Sequence, residues 1–257
     1  MRLKNLKNYF YPSSLDEAIG YLKDESNRII AGGIETSRLQ SQNITGLVDL
    51  SSCKLDYIKD NGSDIVIGAM TPIQSILKSS ALAKEFNEIF PKVLSNYGSI
   101  LIRNQATLGG SLARPLAWSD FPVLALVLDS TLSIYDGNKK VIPFEEYHHG
   151  KTSDILGKGI ITESTFKKEK GKKFGAVRFS RTNFDYSIIT IAASLEVESS
   201  KIKNSKIAIG CAISKAKRFS DIESFLNGKE LNQGTIESAG KMLSDVIDPL
   251  DEVKASK

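Results

Sequence analysis

Two glycine pairs carry the chemistry this sequence offers. One is in Ala31-Gly32-Gly33-Ile34-Glu35-Thr36, directly after the apolar Ile29-Ile30; the other is in Thr107-Leu108-Gly109-Gly110-Ser111. Glycine loses more backbone freedom on folding than any other residue, so a pair marks a turn or a backbone that must approach something closely. Successive N–H groups at such a turn form a concave, partly positive nest for an anion. A helix start beyond it adds free N–H groups and a dipole. Thr107 and Ser111 supply hydroxyl donors. Each pair alone reads first as a plain turn; two on separate segments suit the two charges of a pyrophosphate.

Other chemistries are poorly equipped. Cys53 and Cys211 are the only cysteines, and His148 and His149 the only histidines. Two distant thiols make neither a C-x-x-C pair nor a four-thiolate iron–sulfur site, and adjacent histidines do not make a transition-metal site. No residue set reads as catalytic, so a bound cofactor is expected to carry any chemistry. Neither G-x-x-x-x-G-K-[ST] nor G-x-G-x-x-G occurs, which leaves P-loop and Rossmann sites unsupported. The excess of 34 basic over 30 acidic residues, net +4, is spread along the chain apart from "KKEKGKK" at 167–173. That pattern does not point to nucleic acid. No apolar run approaches the ~20 residues of a membrane span, and "MRLKNLKNYF" lacks an apolar signal region, so a cytoplasmic protein is expected.

The elements that must hold the glycines follow from periodicity and punctuation. Ser14-Leu15-Asp16-Glu17 is a capping-box pattern opening a helix. It leads to a strand ending in the first glycines, a helical turn over 36–40 and the strand "GLVDL". Asn61-Gly62 and Asp136-Gly137 mark hairpins. Thr71-Pro72 reads as an N-cap followed by proline, and one helix is expected over 84–96, stopped at Gly98. The stretch around Gly109-Gly110 shows little helical or strand character. Strand-rich segments follow the basic loop, then a helix capped by Ser220 and Glu223 and a final helix over 234–248. The expected fold class is α+β: a small α/β lobe (1–54), a mixed, largely antiparallel lobe (55–167) and a C-terminal domain of a small antiparallel sheet with helices (172–257).

"RIIAGGIETSRL", "YGSILIRNQATLGGSLA", "SDFPVLALVLDS" and "RFSRTNFDYSIITIAASLEV" together resemble the FAD-binding medium subunit of the molybdenum hydroxylases, relatives of carbon monoxide dehydrogenase, xanthine dehydrogenase and aldehyde oxidoreductase. The resemblance runs over nearly the whole chain, and "IRNQATLGG" is its most specific part. It implies FAD extended between the two lobes, with Ile29, Ile30, Ala31, Gly32, Gly33, Ile34, Glu35 and Thr36 in one pyrophosphate loop. Thr107, Gly109, Gly110 and Ser111 form the other. By the same resemblance Tyr97 lies near the nucleotide, Asp120 hydrogen-bonds the cofactor, Ile160 stands beside it, Arg178 takes the place of a flavin-side lysine, and Tyr186 covers a ring face. Each has a plain alternative: a helix residue for Tyr97, an N-cap for Asp120, a core strand for Ile160, a surface arginine for Arg178 and a buried tyrosine for Tyr186.

The sequence departs from the family at Ser111, where an asparagine is usual, and in "RPLAWSD", which brings in Arg114 and Trp118. Arg114 suits a phosphate or a partner; Trp118 suits an adenine or a packing interface. The implied function is electron transfer within a complex, with an iron–sulfur small subunit and a molybdopterin large subunit as partners. The alternatives are a stand-alone FAD oxidoreductase of the same cofactor fold and a non-enzymatic nucleotide-binding regulatory module.

Overall fold

A computed structural model of the chain describes residues 3–36, 43–114 and 116–250. β1 (Asn8–Phe10), α1 (Leu15–Leu22), β2 (Asn27–Ile30) and β3 (Gly46–Asp49) open the fold. The three strands pair in parallel in the order β1-β3-β2. Ser14 caps α1 by accepting the Glu17 N–H at 3.2 Å, while the Glu17 carboxylate takes the Ser13 N–H at 2.8 Å. Ala18 and Leu22 pack α1 on Val48 and Leu50. The first glycine pair therefore leaves the carboxyl end of β2, the edge at which open α/β sheets place ligand loops. Of the helical turn expected over 36–40, residues 37–40 lie outside the described residues.

The hairpin at Asn61-Gly62 joins β4 (Ile58–Asp60) to β5 (Asp64–Gly68). Five short helices follow: α2 (Ile73–Lys78), α3 (Ser80–Glu85), α4 (Ile89–Leu94), α5 (Ile100–Gln105) and α6 (Leu108–Leu112). Three expectations change here. Thr71 does not cap α2; its hydroxyl exchanges hydrogen bonds with the Tyr57 backbone at 3.0 and 2.9 Å. The helix expected over 84–96 is two, because Asn87 and Glu88 take φ of 49° and 61°. Asn87 is held there by accepting the Phe174 N–H at 3.1 Å. The second glycine pair lies inside α6, whose N-cap is Thr107.

α7 (Phe121–Val127), β6 (Thr131–Tyr135), β7 (Lys139–Pro143), α8 (Phe144–His149), α9 (Thr152–Leu156) and β8 (Ile160–Lys167) complete the middle of the chain. Its sheet runs β4-β5-β8-β6-β7, with β6 antiparallel to both β7 and β8. The last sheet is antiparallel, in the order β12-β11-β10-β9: β9 (Lys173–Phe179), β10 (Ile189–Glu198), β11 (Lys201–Gly210) and β12 (Lys217–Arg218). α10 (Ser220–Leu226) and α11 (Gln233–Val246) bury Ile222, Leu226 and Ala239 with Ile202 and Ile209 of that sheet. Ser220 and Glu223 do not cap α10. Phe219 stands at the N-cap, and Glu223 accepts instead from the Ile207 N–H and from Arg218.

Two compact units interleave along the chain. The first comprises Met1–Ile76, Ser99–Arg114 and Ser130–Phe166; the second comprises Leu77–Gly98, Pro115–Asp129 and Lys167–Lys257.

Candidate functional site

In the first unit the two glycine segments meet. A Cβ built on Gly32 would lie 1.6 Å from the Gln105 carbonyl oxygen and 2.5 Å from its carbon. The first glycine loop thus lies backbone against backbone on the end of α5, two residues before Thr107. The second segment is strapped in turn to residues 69–74. Thr107 forms a bridge with Pro72, Ile73 donates to the Ala106 carbonyl at 2.8 Å, and Gly109 donates to the Ala69 carbonyl at 2.8 Å. Gly109 has no room for a side chain either, with Ala69 Cβ 2.9 Å from its own ideal Cβ. Arg103, buried on α5, donates from Nε to Gln74 Oε1 of α2 at 2.8 Å and ties the two helices together.

The two pairs offer different things to an anion. At the second, the N–H groups of Leu108, Gly109 and Gly110 already donate to Thr71 O, Ala69 O and Thr107 Oγ1. The Ser111 hydroxyl donates inward to the Thr107 carbonyl at 2.9 Å. The Thr107 oxygen accepts from Gly110 at 3.1 Å, which leaves its proton for an outside acceptor. What α6 presents outward is Gly110, exposed and bare of a side chain. At the first pair, Gly33 has φ of 74° and the N–H groups of Gly32 and Gly33 donate to no acceptor among the described residues. Unclaimed N–H groups on a side-chain-free turn are what a phosphate needs, so these residues fit a pyrophosphate-bearing cofactor. Ile34, Glu35 and Thr36 continue this half-buried turn.

Three further first-unit candidates pack in apolar clusters. Ile29 packs with the cluster of Ala18, Val48 and Leu50, and Ile30 with Leu3, Ile44 and Leu47. Ile160, 1% exposed, is part of the former cluster.

In the second unit Asp120 and Arg178 find each other. Asp120, at the N-cap of α7, makes no side-chain cap bond. One carboxylate oxygen accepts Arg178 Nε at 3.2 Å; the other takes the Thr190 hydroxyl and, at 3.5 Å, the Cys211 thiol. The Arg178 Nη atoms reach Ser180 Oγ at 3.0 Å and the Asp185 carbonyl at 2.6 Å. Both side chains are about 95% buried. Arg178 is therefore no surface residue, and Asp120 has no oxygen turned to solvent. Tyr186 is exposed rather than a core tyrosine, with its ring 6.2 Å from that of Trp118. Tyr97, half-buried, follows α4, its N–H on the Leu94 carbonyl at 3.1 Å.

Sequence reading assigned no role to Arg103, Gln105, Thr190 or Cys211. The first three lie inside the quoted family segments; Cys211 had no such signal. An open polar cavity of about 450 Å³ lined by Lys172, Lys206, Arg218 and Glu223 contains none of the candidate residues.

The family described as "FAD binding domain in molybdopterin dehydrogenase" matches residues 4–165, and "CO dehydrogenase flavoprotein C-terminal domain" matches residues 177–257. The nicotine 6-hydroxylase medium subunit of Paenarthrobacter nicotinovorans is 27% identical, with 96% of this chain and 89% of that one covered. The glyceraldehyde dehydrogenase medium chain of Sulfolobus acidocaldarius is 25% identical, covering 97% and 91%. In fold, the chain is similar to a chain in the structure of the carbon monoxide dehydrogenase of Hydrogenophaga pseudoflava. The TM-score is 0.90 at 19% identity, with 98% and 90% of the two chains covered.

Proposed function

The chain belongs to the family of FAD-binding domains in molybdopterin dehydrogenases, and from that membership we propose that it is the electron-transfer flavoprotein subunit of a molybdenum hydroxylase complex. The observation that carries this is the meeting of the two glycine segments. Gly32 rests on Gln105, directly beside the segment that holds Thr107 and Gly110. When bound, FAD supplies the capacity to take electrons singly from one centre and pass two to an acceptor.

The chain's own residues bind and orient. The Gly32 and Gly33 N–H groups and the Thr107 hydroxyl hold the pyrophosphate, and the exposed, side-chain-free Gly110 lets it approach. Residues 1–54 and 55–167 serve as the two lobes of the cofactor domain and 172–257 as the C-terminal domain; each span holds one of the three sheets.

Two cysteines cannot ligate an iron–sulfur cluster. Among the described residues no group of three or more His, Cys, Asp or Glu could hold a metal. In this reading, which rests on the family, an iron–sulfur small subunit donates electrons and a molybdopterin large subunit carries substrate. Among the described residues no helix is long and apolar enough to cross a membrane.

Titrating the purified chain with FAD tests the cofactor, and a folded sample that binds none overturns the reading. Co-expression with the two partners tests the assembly: substrate-dependent dye reduction should require all three chains. Turnover by the isolated chain at the rate of the complex would make it a self-sufficient flavoenzyme.

A further inference from the structure

The basic run at 167–173 has no part in cofactor binding, yet it does not lie wholly in solvent. Gly171 turns it with φ of 83°, and the Lys172 N–H returns to the Glu169 carbonyl at 3.3 Å. The turn carries the Lys172 side chain inward, where 1% of it stays exposed. An ammonium has three N–H donors. Among the described residues Lys172 Nζ meets one acceptor, Glu169 Oε2 at 2.7 Å. A charge buried that deeply carries a desolvation cost that its contacts must offset, and two of its donors are left for something else.

Lys172 lines the open cavity of about 450 Å³, a volume within the range of small-molecule sites. Every residue lining it is polar or charged, and all belong to the second unit. Lys206 of β11 lines it too, with Nζ 4.0 Å from Glu169 Oε1. Two ammoniums therefore converge on the two oxygens of one carboxylate. The neighbouring carboxylates are already engaged. Glu223 holds the Arg218 guanidinium with both oxygens, at 2.9 and 2.6 Å, and accepts the Ile207 N–H at 2.9 Å. Asp129 pairs with Lys206 and with Arg218. The lining thus sets three cations against two carboxylates, Glu169 and Glu223. Ser220 and Ser224, one helical turn apart on α10, add two exposed residues with hydroxyls to the same wall.

We propose that this cavity binds a small hydroxylated anion, a sugar acid or a sugar phosphate. Its oxyanion lies between Lys172 and Lys206, and its hydroxyls meet Ser220 and Ser224. The oxyanion supplies the acceptors that the buried Lys172 lacks, in charge-assisted hydrogen bonds. A lining of charges, amides and hydroxyls suits a polyol rather than an apolar acid. The site is independent of the FAD reading, because it draws on none of the residues assigned to the cofactor.

Calorimetric titration of the full chain with glucose 6-phosphate, gluconate and glucose tests this, since these polyols carry a phosphate, a carboxylate or no charge. At least one of the two anions should bind and glucose should not; the tighter anion identifies the head group. Lys172→Met and Lys206→Gln should each weaken that anion about tenfold. Ser220→Ala combined with Ser224→Ala should weaken it about threefold and leave the binding of inorganic phosphate unchanged. Should Lys172→Met fail to fold, Lys206→Gln and the paired serine variant, at less buried positions, still decide the matter. Anion affinity unchanged in both would overturn the site. So would wild-type protein that binds neither anion, or binds glucose equally well. Gly110→Val, in the first unit, should bind the anion as wild type does; loss of binding there would place the anion at the glycine segments and overturn the proposal. Protein that binds the anion but no FAD would support this site while sinking the functional reading.

Discussion

The α-carbon of Gly32 faces the carbonyl of Gln105 so closely that a Cβ would stand 1.6 Å from its oxygen. That contact is between two backbones, so neither partner can swing away. Gly32→Ala should cost roughly 1–3 kcal/mol of stability, as overpacking does, and FAD affinity should fall with it. Urea unfolding and FAD titration read the two effects. An unchanged urea midpoint would mean that the loop does not lie on α5.

Gly33 differs in kind. Among the described residues its ideal Cβ meets just the Ile30 side chain, at 3.5 and 3.9 Å, but its φ is 74°. Gly33→Ala should therefore cost about 1–2 kcal/mol through the left-handed backbone alone. Gly33→Asn, which tolerates that region, should recover part of it. Equal stability of the two variants would show that the turn relaxes.

Gly110 separates binding from folding. It lies in α6 outside the positive-φ region, and among the described residues the close neighbour of its ideal Cβ is Thr107 Oγ1 at 3.2 Å. A strained dihedral is therefore no part of its role. Gly110→Val should leave stability within about 1 kcal/mol, given helix propensities, and lower FAD affinity by more than tenfold if phosphate approaches this face. FAD binding equal to wild type would reduce Gly110 to a helix residue.

Thr107 caps α6 through its acceptance from Gly110. Thr107→Ala should lose about 1 kcal/mol and, on the proposed role of its hydroxyl, FAD affinity as well, whereas Thr107→Ser should restore both. The urea midpoint and the FAD dissociation constant should move together. A serine variant that behaves like alanine would contradict the hydroxyl's role.

Acid sensitivity should trace to Glu163 of β8. Burial alone would raise its carboxyl; donation from Lys139 at 2.6 Å, Tyr57 at 2.5 Å and Ser133 at 3.1 Å outweighs this and holds it below the usual range. A carboxylate with a depressed folded pKa adds stability above its unfolded value of about 4.3. That stability is lost as pH falls through the folded value. Glu163→Gln should therefore cost about 1–2 kcal/mol near pH 7, discounted for the exposed Lys139, and converge on wild type in acid. A constant difference across pH would mean the charge plays no part.

The sequence by itself determined the local grammar of this protein. The capping of α1, the hairpins at Asn61-Gly62 and Asp136-Gly137, the α+β class and the two glycine pairs follow from side chains acting on their own backbone, and spacing records them. Only the tertiary structure decided what those residues touch. Asn87 splits one expected helix in two because an acceptor is needed by Phe174, 87 residues on. Gly109-Gly110 became helical because Thr107 Oγ1 could cap Gly110 while Thr71 and Ala69 took the N–H groups of Leu108 and Gly109. Arg178 turned inward because Asp120, 58 residues earlier, lay buried across from it, with Thr190 and Cys211 closing on the same carboxylate from 70 and 91 residues away. A buried charge takes the partner that packing brings to it, and that choice is long-range. The family pattern named the candidate residues, but the energetics of desolvation decided that Asp120 and Arg178 lie buried and paired.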